Sequence, residues 1–165
     1  MKRFFKQFKS SKVFVTGMII SFCFAFAGCS NAEQNKESRS FTDFPHIEEE
    51  YLDTLKNLEF PEGTALPERL EGEDNEASFQ EGYGETRACN LWEYLWMQEW
   101  LDTYTTEPER AERALKELEK AFDMAYMGED RCDDATRNYL RENIEKAKAG
   151  DPTGFEECIR VNYSK

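Results

Sequence analysis

Residues 85–104 read ETRACNLWEYLWMQEWLDTY, and the spacing of their apolar side chains decides the fold. Ala88, Leu91, Trp92, Leu95 and Trp96 recur at intervals of three and four, the period of an α-helix face. Tyr94, Met97, Leu101 and Tyr104 make a second stripe on another face. A helix that is apolar nearly all round sits at the centre of its domain, because every face needs a neighbour to cover it. The stretch from about Glu85 to Tyr104 therefore predicts a spine with other helices packed around it.

The flanking sequence supplies those helices. Thr106-Glu107-Pro108-Glu109 fits a capping box with proline in the first turn. The third helix it opens turns Ala111, Ala114, Leu115, Leu118, Phe122 and Tyr126 inward. Asp133 is placed to cap a fourth, with Tyr139, Leu140, Ile144 and Ala147 inward and Gly150 as its stop. Asp151-Pro152 begins a short fifth carrying Phe155, Cys158 and Ile159. Upstream, Asp43 precedes a first helix with Pro45 in its first turn and Phe44, Ile47, Tyr51, Leu55 and Leu58 on one face. Between the first two helices, residues 60–84 (FPEGTALPERLEGEDNEASFQEGYG) predict a long irregular connection with a short turn near Pro67–Leu70. No alternating strand pattern competes. The expectation is an all-α bundle of four to five helices over residues 42–165, up-down from the second helix onward.

The beginning of the chain has a different character. Residues 1–28 hold five basic side chains (Lys2, Arg3, Lys6, Lys9, Lys12) and no acid, ending in the apolar run Val13–Gly28. That run would rise only ~24 Å as a helix, short of a ~30 Å hydrocarbon core, so it predicts an export signal rather than a span. Phe26-Ala27-Gly28-Cys29 closes it, and this junction resembles the lipobox of bacterial lipoprotein precursors, with Phe26 where an aliphatic residue is usual. The resemblance covers the leader alone. It implies lipid transfer to the Cys29 sulfur, cleavage before Cys29, and fatty acyl chains such as palmitate holding the protein at a membrane. Ser30 after the cysteine implies the outer membrane in a host that has one. Two rival readings stay open. Ala25-Phe26-Ala27 also suits ordinary signal cleavage, and an uncut leader would serve as an anchor. Residues 29–41 are polar and aperiodic at their start and predict a flexible tether.

With the leader set aside, 16 Lys and Arg face 34 Asp and Glu, a formal charge of −18. Such a field repels nucleic acid and anionic lipid, leaving the lipid on Cys29 as the expected link to the membrane. Aromatic residues make up 14% of the chain, so it is not a disordered acidic tail throughout.

Three cysteines remain beyond Cys29, in a compartment where disulfides persist. Cys89 and Cys132 are the candidate pair, with Cys158 free or an alternative partner. A Cys89–Cys132 bridge would enclose 42 residues and add on the order of 3–4 kcal/mol. The competing expectation makes all three buried hydrophobes.

Sites of chemistry are scarce. The one histidine, His46, precedes Glu50 by a helical turn, but a metal needs three or four ligands, so no metal site, cofactor or catalytic residue is predicted. The acidic stretch EGEDNEASFQEG lacks the alternating ligands of a calcium loop. The feature exceeding ordinary structural need is the ring cluster Trp92, Trp96, Trp100 and Tyr104, which forms either the packed centre or a binding groove edged by Glu93 and Glu99. The expectation is a membrane-tethered, non-enzymatic helical domain that binds an envelope protein or ligand. The alternative is a small extracytoplasmic hydrolase that cleaves envelope glycan with carboxylates alone, Glu93 and Glu99 being one such pair.

Overall fold

The computed structural model describes residues 40–163. The leader, Cys29 and the tether as far as residue 39 lie outside the described residues. Five α-helices carry the architecture: α1 (Phe44–Asn57), α2 (Tyr83–Thr103), α3 (Pro108–Glu119), α4 (Asp134–Lys148) and α5 (Thr153–Asn162). The described chain is all-α apart from one two-residue antiparallel pair. There β1 (Phe41–Thr42) lies beside β2 (Phe79–Gln80), with Phe41 opposite Gln80 and Thr42 opposite Phe79. No helix among the described residues is long and apolar enough to cross a membrane.

Side-chain contacts along α2 trace the path of the chain. Arg110, at the start of α3, forks onto Glu99 near the end of α2, with Nε–Oε1 2.8 Å and Nη2–Oε2 3.0 Å. Further on, Tyr126 reaches Glu93 and Arg131 reaches Glu85, so this segment runs back along α2. The next helix climbs again, bringing Lys148 at its end to Glu119 at 2.6 Å. Helix α5 descends, from Phe155 edge-on to Trp100 (centroids 5.3 Å) to Tyr163, whose hydroxyl donates to Asn90 O at 2.8 Å. The up-down alternation thus holds from α2 onward. Helix α1 runs alongside α2 in the same sense: Ile47 abuts Gly84, while Trp92 and Trp96 meet Glu59. Parallel neighbours need a long return, which the connection 58–82 provides.

Two hydrophobic clusters meet on α2. The larger joins its three tryptophans to Leu118 of α3, Leu140 and Ile144 of α4, and Phe155 of α5. The smaller packs Ile47, Tyr51 and Leu55 of α1 with Leu70 of the connection and Ala88 of α2.

Some local expectations hold and others fail. Asp43 caps α1, accepting from His46 N at 3.3 Å, and Asp133 caps α4, accepting from Thr136 N at 2.7 Å. Gly150, at φ +81°, follows α4 as expected of a stop. The capping box at Thr106 does not form. Glu107 flanks α3 without a side-chain cap, and its carboxylate binds Arg110 Nη1 at 2.9 Å. The third helix also ends early. Its backbone tightens to 3-10 turns at Lys120–Asp123 and Ala125–Met127, with Met124 extended between them. This break separates Tyr126 from α3, where its ring packs onto α2. Tyr139, expected inward on α4, is 42% exposed, because it lies about 100° around the helix from Leu140 on the buried face Leu140, Asn143, Ile144 and Ala147. In the connection the hydrogen-bonded turns fall at Pro61–Thr64 and Asp74–Ala77 rather than Pro67–Leu70.

Candidate functional site

The three tryptophans of the ring cluster are core, and Tyr104 packs half-buried against them. Trp92, Trp96 and Trp100 are 1%, 1% and 2% exposed, leaving no open groove along them. Trp92 and Trp96, one turn apart, both donate their indole N–H to Glu59 O, at 2.8 and 3.1 Å. That shared carbonyl pins the start of the irregular connection against α2. Trp100 stacks on Tyr104 with centroids 4.6 Å apart. Arg113 of α3 lies over Trp96 at 5.6 Å. The packed-centre expectation therefore describes these residues, and the groove does not.

Glu93 and Glu99 stand six positions apart on α2, about 120° around the helix, and meet different neighbours. Glu99 is bound by the Arg110 fork, which also grips Glu107, and so fastens the α2–α3 corner. Glu93 is buried, and its Oε1 accepts the Tyr126 hydroxyl at 2.5 Å. Burial pushes its carboxyl up to about 7, against the opposing pull of the Tyr126 hydrogen bond. A glycosidic acid–base pair needs both carboxyls on one cleft, and these two do not share one. No family model, curated protein or solved structure matches this chain. Function must be argued from its own residues.

His46 Nε2 lies 3.7 Å from Glu50 Oε1, and among the described residues no group of three or more His, Cys, Asp and Glu is placed to hold a metal ion. The Glu50 carboxylate has a different task. Its oxygens accept from Gly82 N (2.9 and 3.1 Å) and Gly84 N (3.1 Å), capping α2 from α1. Gly82 precedes α2 at φ +80°, and offers no side-chain cap of its own. Arg131 seals the same helix end, donating to Gly82 O at 2.5 Å and Thr86 Oγ1 at 3.0 Å while pairing with Glu85.

Among the described residues Cys89, Cys132 and Cys158 stand as free thiols. The loop carrying Cys132 meets α2 through Arg131 rather than through sulfur, and the Cys132 thiol donates to Met127 Sδ at 3.5 Å. Cys89 and Cys158 are buried, and burial pushes the Cys89 thiol up to about 12 and raises that of Cys158. Among the described cysteines, Cys132 alone is partly accessible. A thiol reagent added to the lipid-free native domain should therefore modify Cys132 first, and the other two only on unfolding. Peptide mapping after a short pulse checks this, and rapid labelling of Cys89 would contradict its burial.

Glu50, Arg131 and the Glu93–Tyr126 pair escape sequence reasoning for one reason: each partner lies more than thirty residues away. Glu93 alone had a local signal. It is flanked at four residues either side by Cys89 and Met97, so its place on the helix faces inward.

Proposed function

We propose that this chain is a bacterial lipoprotein precursor whose acidic helical domain is held at a membrane by lipid on Cys29 and binds an envelope protein or ligand without catalysing a reaction. The observation that carries the reading is the junction Phe26-Ala27-Gly28-Cys29 at the end of a basic, then apolar, leader. Two or more acyl chains anchor firmly, since each buried CH₂ contributes roughly 0.8 kcal/mol. On this reading the leader carries the domain out of the cytoplasm, and Ser30 after the cysteine supports the outer membrane in a host that has one. A domain with its tryptophans and Glu93 packed inside, and Glu99 fastened to Arg110, suits recognition by its surface better than glycan cleavage.

The test is Cys29→Ser in the full chain. Cells fed labelled palmitate should label the wild-type protein in the sedimented membrane fraction and leave the variant unlabelled. A wild-type protein that carries no acyl group and washes freely off membranes overturns the anchor. Turnover of cell-wall glycan by the purified domain overturns the non-enzymatic half.

A further inference from the structure

Glu93 is an acid in a place that offers it no cation. No basic side chain forms an ion pair with it among the described residues, and its hydrogen-bond partner is the Tyr126 phenol. The titratable groups that feel its charge are Tyr126 from the 3-10 turn, Cys132 from the loop before α4, Cys158 and Tyr163 from α5, and Cys89 from α2 itself. All are neutral phenols or thiols at physiological pH, and the negative charge of Glu93 acts on each to keep it so. The arginines that act on this cluster are already engaged, Arg131 by Glu85, Arg87 by Glu73 and Arg137 by Asp134. A carboxylate in such a setting has little to offset its lost hydration, whereas a neutral carboxyl fits.

Tyr126 occupies a mechanically telling position. It stands in the Ala125–Met127 turn that links α3 to α4, and its hydroxyl joins that link to the middle of α2.

We propose that Glu93 and Tyr126 form a proton-dependent latch between α2 and the α3–α4 link: the closed packing is favoured while Glu93 is protonated, and once Glu93 ionises the cost of its buried charge outweighs the strengthened hydrogen bond from Tyr126. The latch is independent of how the chain is anchored. Its sign follows from linkage. Burial raises the folded-state carboxyl to about 7, from an unfolded value of 4.5. Below the unfolded value both states hold the proton and Glu93 carries no penalty. As pH climbs from 4.5 towards 7 the unfolded chain releases its proton first, so stability falls across that window. Above it the loss is complete.

The experiment is urea unfolding of the lipid-free domain at pH 5.5 and pH 8, both above the isoelectric point of about 4.6. The Glu93 contribution is read as the difference between wild type and Glu93→Gln, which cancels the general repulsion of an acidic protein. Between the two pH values the wild-type unfolding constant should rise roughly thirtyfold more than that of Glu93→Gln. Hydrogen exchange supplies the local readout: amides of residues 120–128 should exchange faster at pH 8 than the chemical rate predicts in wild type, and not in the variant. Tyr126→Phe is the second variant should Glu93→Gln fail to fold. Without the phenol the acid loses the contact that favours its charge, so the fall in stability should persist and move to higher pH. Parallel pH dependence in wild type and Glu93→Gln, or a fall that moves to lower pH in Tyr126→Phe, overturns the latch.

Discussion

Gly84→Ala should destabilise the domain by roughly 3 kcal/mol or more, the largest effect expected of any single added methyl here. A Cβ at this position would stand 2.0 Å from Ile47 O and 2.8 Å from Glu50 Cβ. The first of these is backbone, so no rotamer change relieves it. Either α1 moves away from α2 or α2 shifts along its axis. Both disturb the capping of α2 by Glu50, whose oxygens reach the amides of Gly82 and of Gly84 itself. Moving α1 also opens the smaller cluster, where Ile47, Tyr51 and Leu55 cover Ala88. Circular dichroism through a urea titration would register this as a lower midpoint, with helicity lost early as α1 detaches. Wild-type behaviour would mean that the two helices do not approach as closely as their backbones indicate.

Trp96→Ala is expected to cost about 3–5 kcal/mol, a large share of the 5–15 kcal/mol typical of such a domain. The ring is almost wholly enclosed, so its removal leaves a cavity in the larger cluster as well as losing apolar burial. Trp96→Phe should be much milder. It retains most of the volume, and Trp92 still donates to Glu59 O. Replacing both tryptophans by phenylalanine removes both donors and should exceed the sum of the single effects, since each indole covers for the other. Denaturation midpoints of the three phenylalanine variants and of Trp96→Ala measure this. Strict additivity in the double variant would show that the Glu59 carbonyl gains nothing from being shared.

The helices were legible because their apolar residues repeat at three and four over several turns. The Ile47, Tyr51, Leu55 stripe and the Leu140, Ile144, Ala147 stripe both end up buried. The caps at Asp43 and Asp133 were equally local, each an acid three residues before the amide it receives. What local pattern could not weigh was competition for a side chain. The box residues Thr106 and Glu109 suggest a cap one residue too early: the helix is flanked by Glu107, whose carboxylate binds Arg110 instead of the helix end. The strand pair β1–β2 is two residues long on each side, too short for any alternation to show. The ring cluster illustrates the limit on function: a helix apolar all round has the same spacing whether its rings face a ligand or Phe155. Glu93 suits the rim of a groove as well as an inward face between Cys89 and Met97, and its pairing with a tyrosine thirty-three residues away decides for the inside.

The short ladder at the start of the described chain bears on how the domain meets a pull. Glu81 N donates to Ser40 O at 3.1 Å, so the segment leading into α1 is tied beside the start of α2. Tension arriving through the preceding residues meets this small zipper first, and α1 next. Beneath α1 lies only the lesser of the two cores, so a taut leash would strip the first helix while the tryptophan-filled remainder stayed whole. Were the domain held through Cys29 as proposed, that order of yielding would make α1 the joint that opens first.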